Sequence, residues 1–124
     1  MYGLLIPQPH LDRILRGESS GDVRPFFTEK RGRIALVDPA DSCVKGFADI
    51  VRVETVPYSE YRRQHGQQIT GDMWAAHRDY YRIVFSKVAR MERPQAIVLR
   101  GETVWVEVPG TMEQGRKQSS LFDF

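Results

Sequence analysis

The stretch Ile14-Leu-Arg-Gly-Glu-Ser-Ser-Gly-Asp-Val-Arg-Pro-Phe26, "ILRGESSGDVRPF", decides how the chain is read. Its first residues close an apolar pattern. Leu11, Ile14 and Leu15 have the i, i+3, i+4 spacing of one helix face, and Gly17 suits the C-terminal stop. A polar run through Ser19, Ser20 and Gly21 follows. "DVRPFF" then reads as a strand, with Pro25 at an edge or a bulge because proline cannot donate to a ladder. In a strand, Asp22 and Arg24 project from the same face, since side chains repeat every two residues.

Outward from this segment the chain is mostly strand. "YGLLIP" before it is a short strand ended by Pro7 and Pro9. After it, "RIALVD" is an apolar run between turn signals. "VKGFADIVRVETV" is a long strand in which Gly46 permits a bend or bulge. The middle, "YSEYRRQHGQQITGDMWAAHRDY", is polar and broken by Gly66 and Gly71. Ser59 can cap one short helix there and Asp72 can start another, in an insertion, lid or loop region. Strands return with "YYRIVFSKVARME", a short "AIVL" and the alternating "TVWVEV". Many strands, two or three short helices and no βαβ alternation predict an α+β, mainly β domain with a mixed, barrel-like sheet. The domain is expected over residues 1–109, with a flexible tail at 110–124.

Composition sets the limits. With 124 residues the chain supports one core, and 41% hydrophobic with 27% charged residues is ordinary for a globular protein. No apolar run approaches the ~20 residues of a membrane span, and "MYGLLIPQPH" lacks the basic start of a signal peptide. Cys43 stands alone, which excludes an internal disulfide and favours a reducing, cytoplasmic setting. His10, His65 and His77 are far apart and Cys43 has no ligand-spaced neighbour, so neither a metal nor a cofactor is expected. Net charge is +2, and 14 of the 18 basic residues are arginine. That bias fits guanidinium contacts with phosphates and bases, and equally a GC-rich coding bias.

Together the blocks resemble the ASCH domain of the PUA-like superfamily. "IPQPHLDRILRGESSGDVR" is similar to its signature, a short helix before Gly-x-Lys-x-x-Glu-x-Arg. "RGRIALVD", "VKGFADIVRV" and "ETVWVEV" follow in the family order, over roughly residues 3–108. The resemblance implies a small β-barrel with flanking helices and a cleft suited to RNA, a nucleotide or a modified base. Gly17 and Arg24 match the signature. Asp22 stands for its glutamate and Ser19 for its lysine. Some relatives are amidohydrolases on an acylated cytidine and use that lysine, and others are reported as ribonucleases. Serine cannot act as a lysine-type base, so the resemblance with Ser19 in place points to binding more than to catalysis. A hydrolase on a modified pyrimidine nucleoside would need Asp22, Lys45 or Lys87 to take over.

The expected ligand is a single-stranded or modified nucleic acid or a nucleoside. Arg24 can hold a phosphate or base edge, with Asp22 orienting it; alternatively the two form an ion pair that pins the loop. Ser19 and Ser20 can offer backbone N–H groups to an anion, or simply form a loop. Arg62, Arg63, Arg78 and Arg82 read as backbone contacts or as a solvated face. Trp74 or Tyr80 is the expected base-stacking ring, whereas Trp105, in an alternating strand, reads as core. His10 is expected to cap or pack at the helix start. In the tail, Gln118-Ser-Ser-Leu121-Phe122 resembles the short Gln-x-x-Leu-Phe peptide that docks on bacterial sliding clamps, which would make the clamp a partner. The competing reading folds Leu121, Phe122 and Phe124 back onto the domain.

Overall fold

The computed structural model describes residues 1–57, 60 and 79–110. The expected helices of the insertion and the whole C-terminal peptide lie outside them. Six strands and one helix are placed in full among the described residues: β1 (Tyr2–Leu5), α1 (His10–Leu15), β2 (Gly21–Arg24), β3 (Gly32–Asp38), β4 (Cys43–Val56), β5 (Tyr80–Ala96) and β6 (Trp105–Glu107). They form one mixed sheet in the order β2-β5-β4-β3-β1-β6. Only β1 and β3 run parallel, joined by the crossover that contains α1 and β2. The sheet curls into a half-barrel.

Each face of the sheet has its own core. On one face Leu4, Ile34, Leu36, Ala48, Ile50, Ile83 and Phe85 pack against Leu11 and Ile14 of α1. On the other, Leu5, Ala35, Val37, Phe47, Met91, Val106 and Val108 form a second cluster. This is the period-2 alternation of the strands at work: Leu4 and Leu5 go to opposite sides. Gly46 seats the helix. A Cβ there would lie 2.5 Å from both the Leu15 Cδ2 atom and the Ala89 carbonyl oxygen, and the β4–β5 register shifts beside it.

α1 ends as the sequence requires. Gly17 has φ +78, its N–H donates to the Ile14 carbonyl, and the Glu18 N–H donates to the Arg13 carbonyl. This paired arrangement satisfies carbonyls that the helix end would leave open. β2 stops at Arg24, before Pro25, and lies at the sheet edge. Two strand expectations change. "AIVL" is not a separate strand: β5 runs on to Ala96, which pairs with Cys43 at the start of β4, and the Ile97 N–H donates to the Ser42 carbonyl just before β4 begins. "TVWVEV" contributes only Trp105–Glu107 as strand, although backbone bonds from Leu5 to Val104 and from Val108 to Met1 extend its contact with β1.

Candidate functional site

The β2 register fixes the direction of the two charged residues. Asp22 lies opposite Ile83 and Arg24 opposite Tyr81, so both project from the α1-covered face to which Ile83 belongs. Val23 lies opposite Arg82, on the other face. Asp22 is buried and meets an arginine and a histidine. Arg24 Nε donates to its Oδ2 at 2.5 Å, and His10 Nε2 lies 3.2 Å from its Oδ1. His10 is the first residue of α1; what Pro9 and the helix start accomplish is to carry its ring to β2. Burial pushes the Asp22 carboxyl up, but the His10 hydrogen bond and the Arg24 charge and hydrogen bond outweigh it and hold its pKa below the usual value.

Arg24 has a second role. Its Nη2 donates to the Leu5 carbonyl at 2.5 Å. β2 and β1 stand apart in the sheet, with β5, β4 and β3 between them, so this bond crosses the mouth of the curl. Arg24 Nη1 has no partner among the described residues, and the side chains of His10 and Arg24 are 35% and 15% exposed. The site is therefore a buried carboxylate that holds a guanidinium, with the Nη1 donor to spare, beside a partly exposed imidazole at the mouth. Such donors suit an anionic oxygen or the acceptor edge of a base.

The other expected residues scatter. The Ser19 N–H is used by the Arg13 carbonyl and its hydroxyl donates to the Gly21 carbonyl, while the Ser20 carbonyl accepts from Phe85. Arg82 lies near Glu54 and Glu60, at 3.5 Å and 3.9 Å, away from the Asp22 face. Tyr80 is buried against Val56 and Val23, which commits its ring to the domain's own packing. Lys45 sits 2.7 Å from both Asp38 and Asp41; the hydrogen bonds to these acids raise its pKa above the usual lysine range, so it stays an ammonium. Lys87 is exposed at an irregular point of β5 with φ 50. Arg62, Arg63, Trp74, Arg78, Gln118, Leu121 and Phe122 lie outside the described residues.

Two features escaped the sequence reading. His10 joins the Asp22–Arg24 pair, and only its place at a helix start pointed to it. Trp105, expected in the core, is only half-buried, and Tyr2 stands beside it on the surface. A separate open groove of about 560 Å³ is lined by residues that include Ile97, Val98, Arg100, Trp105 and Glu107. Among the described residues, no three His, Cys, Asp or Glu side chains gather as a metal site would require. Nor is any described helix long and apolar enough to cross a membrane.

No protein-family profile matches the sequence, and no curated protein matches it. Solved structures do match. The ASCH protein of Zymomonas mobilis has a TM-score of 0.64 and 12% identity, covering 97% of this chain and 94% of that one. Two single-substitution variants of the same protein match with the same score. At this identity the likeness is one of fold, and it extends over nearly the full length: the chain has the ASCH/PUA-like fold.

Proposed function

We propose that this chain is a nucleic-acid- or nucleotide-binding module whose ligand is held at the mouth by His10 and Arg24, with Asp22 orienting both. The observation that carries the reading is the buried carboxylate gripping an arginine and a histidine that remain partly open to solvent. The fold supports the reading by analogy, because ASCH-like clefts suit a single-stranded segment or an extruded base. Fluorescence anisotropy with short single- and double-stranded RNA and DNA tests it. Binding at low salt that weakens as salt rises is expected. No binding to any oligomer at low salt would sink the proposal. Tethering to a sliding clamp through Gln118, Leu121 and Phe122 belongs to the same proposal. A peptide of the last ten residues is expected to bind the clamp at micromolar affinity, on the order of −8 kcal/mol.

A second reading has one observation in its favour. A histidine oriented by a buried carboxylate is a general-base arrangement, and His10 with Asp22 has that geometry at 3.2 Å. This would replace the missing lysine in a hydrolase acting on a modified pyrimidine nucleoside. A chromatographic assay with N4-acetylcytidine decides it: turnover lost in His10→Asn supports this reading, and no turnover by the unmodified protein removes it.

A further inference from the structure

We infer that Tyr2 and Trp105, with Lys30 above them, form a second subsite that takes one nucleotide: the base stacks on the rings and Lys30 receives the phosphate. This deepens the reading of the mouth, on which it rests for the class of ligand. Tyr2 and Trp105 stand on neighbouring strands. Tyr2 pairs with Glu107 and Leu4 with Trp105, so the two rings are diagonal neighbours on one face. Their centroids are 6.2 Å apart at 70°. Trp105 packs on the core beneath, but Tyr2 is 46% exposed, which a purely structural aromatic pair would not require. Lys30 Nζ lies 4.4 Å from the Tyr2 ring centre and 4.9 Å from that of Trp105.

The electron-rich ring face that draws an ammonium also stacks a planar base. Lys30 belongs to the connection between β2 and β3 and takes no part in a strand ladder, so its side chain can swing aside without disturbing the sheet. Its charge would then meet the phosphate of the base that displaced it. Glu107 opposite Tyr2 disfavours a bare anion, so stacking is required as well. Tyr2 is three residues from Leu5, whose carbonyl holds Arg24; at ~3.3 Å per residue the separation along β1 is about 10 Å. A short single strand can reach both points.

Trp74→Phe leaves Trp105 as the sole tryptophan and makes its emission the reporter. Titration with adenosine 5′-monophosphate is expected to quench it, and adenosine to quench it more weakly. Tyr2→Ala should weaken both ligands about tenfold while barely moving the melting temperature. Lys30→Ala should weaken only the nucleotide and bring it to the affinity of adenosine. An unchanged Trp105 signal, or a Lys30→Ala loss shared equally by both ligands, overturns the inference; the latter makes Lys30 a strap for its loop. Should Trp74→Phe not fold, the Trp105 indole N–H resonance of the unmodified chain reports the same titration. If an oligomer binds while Trp105 is silent, this subsite fails and the mouth stands. If the mononucleotide quenches Trp105 but no oligomer binds, the subsite stands and the mouth reading fails.

Discussion

Two buried aspartates of this domain sit in similar surroundings and lead to different conclusions. Asp38, at the end of β3, accepts from the Ala40 N–H at 2.9 Å, Lys45 Nζ at 2.7 Å and Gln8 Nε2 at 3.2 Å. Asp22, on β2, meets His10 and Arg24. In both, burial raises the carboxyl pKa and the partners lower it further than that. The difference is in charge and direction. The Asp38 group sets one lysine against two acids, Asp38 and Asp41, and its backbone bond locks the β3–β4 turn. It has negative charge to spare and repels an anion. The Asp22 group sets one acid against an arginine and a histidine, both partly exposed, and leaves Arg24 Nη1 free among the described residues. A buried carboxylate is therefore no sign of a site until the remaining valence of its partners is counted.

The comparison breaks first on stability. Asp38→Ala leaves the Ala40 N–H without its acceptor, Gln8 Nε2 with only Asp12 and Lys45 with only the exposed Asp41. Removing one member of a buried ion pair costs about 3 kcal/mol, a fall in melting temperature on the order of 10 °C by thermal denaturation. Oligonucleotide affinity measured well below the transition should be unchanged. Arg24→Lys should do the reverse. Lysine keeps the charge on Asp22 but lacks the planar fork that reaches Asp22 and the Leu5 carbonyl together. About tenfold weaker binding by anisotropy is expected, with a loss of about 1 kcal/mol in urea unfolding. Complete unfolding of Arg24→Lys would make the Asp22 group a strap like Asp38.

Acid and base separate the two groups next. Both aspartates have lowered folded pKa values, so their stabilisation is present above the unfolded value of 3.8 and is lost as pH falls through the folded values. Below about pH 4 the two regions fail together. Lys45 has a raised folded pKa, so its contribution is complete below 10.5 and disappears as pH climbs beyond that. Arginine does not titrate in that range, so of the two groups it is the Asp38 group that contributes to the alkaline loss. Melting temperatures from pH 7 to 11.5 should show a decline that Lys45→Arg reduces. A decline unchanged by that substitution would place its source elsewhere.

How far the sequence carries the reader follows from the range of the interactions. The helix stop at Gly17, the edge position of β2, the shared face of Asp22 and Arg24 and the bulge beside Gly46 are local, and each was legible from spacing and residue type. His10 and Asp22 are twelve positions apart and meet only because the crossover lays α1 over the end of β2. No periodicity encodes that. Arg82 was read with Arg62, Arg63 and Arg78 as a backbone contact or a solvated face, and register turns it to the face opposite that of Arg24. Trp105 was assigned to the core by alternation, which distinguishes faces but not how deeply a short edge strand such as β6 is covered. Tyr80, expected as a stacking ring, shows the converse: beside Asp79 in sequence, it is covered by Val56 and Val23.

The smallest expected effect tests whether the mouth extends back to the loop before β2. Ser19 stands where the ASCH signature has a lysine, and its hydroxyl merely closes a local bond to the Gly21 carbonyl at 3.0 Å. That bond is part-buried, within one turn of chain, and its net contribution is ~0.5–1.5 kcal/mol. Ser19→Lys exchanges it for an ammonium on a flexible stem, two residues before β2 begins. If the anion held by His10 and Arg24 lies within reach of that stem, affinity for a short RNA should rise a few-fold. The slope of log affinity against log salt should steepen by about one ion, because one more phosphate is neutralised. Melting temperature should move by no more than a degree or two, of either sign. A steeper slope in the parent background that vanishes in the Arg24→Lys background would show the two positions acting on one ligand. An unchanged slope in both would confine the site to the His10–Asp22–Arg24 group, with the loop before β2 serving only to end the helix and begin the strand.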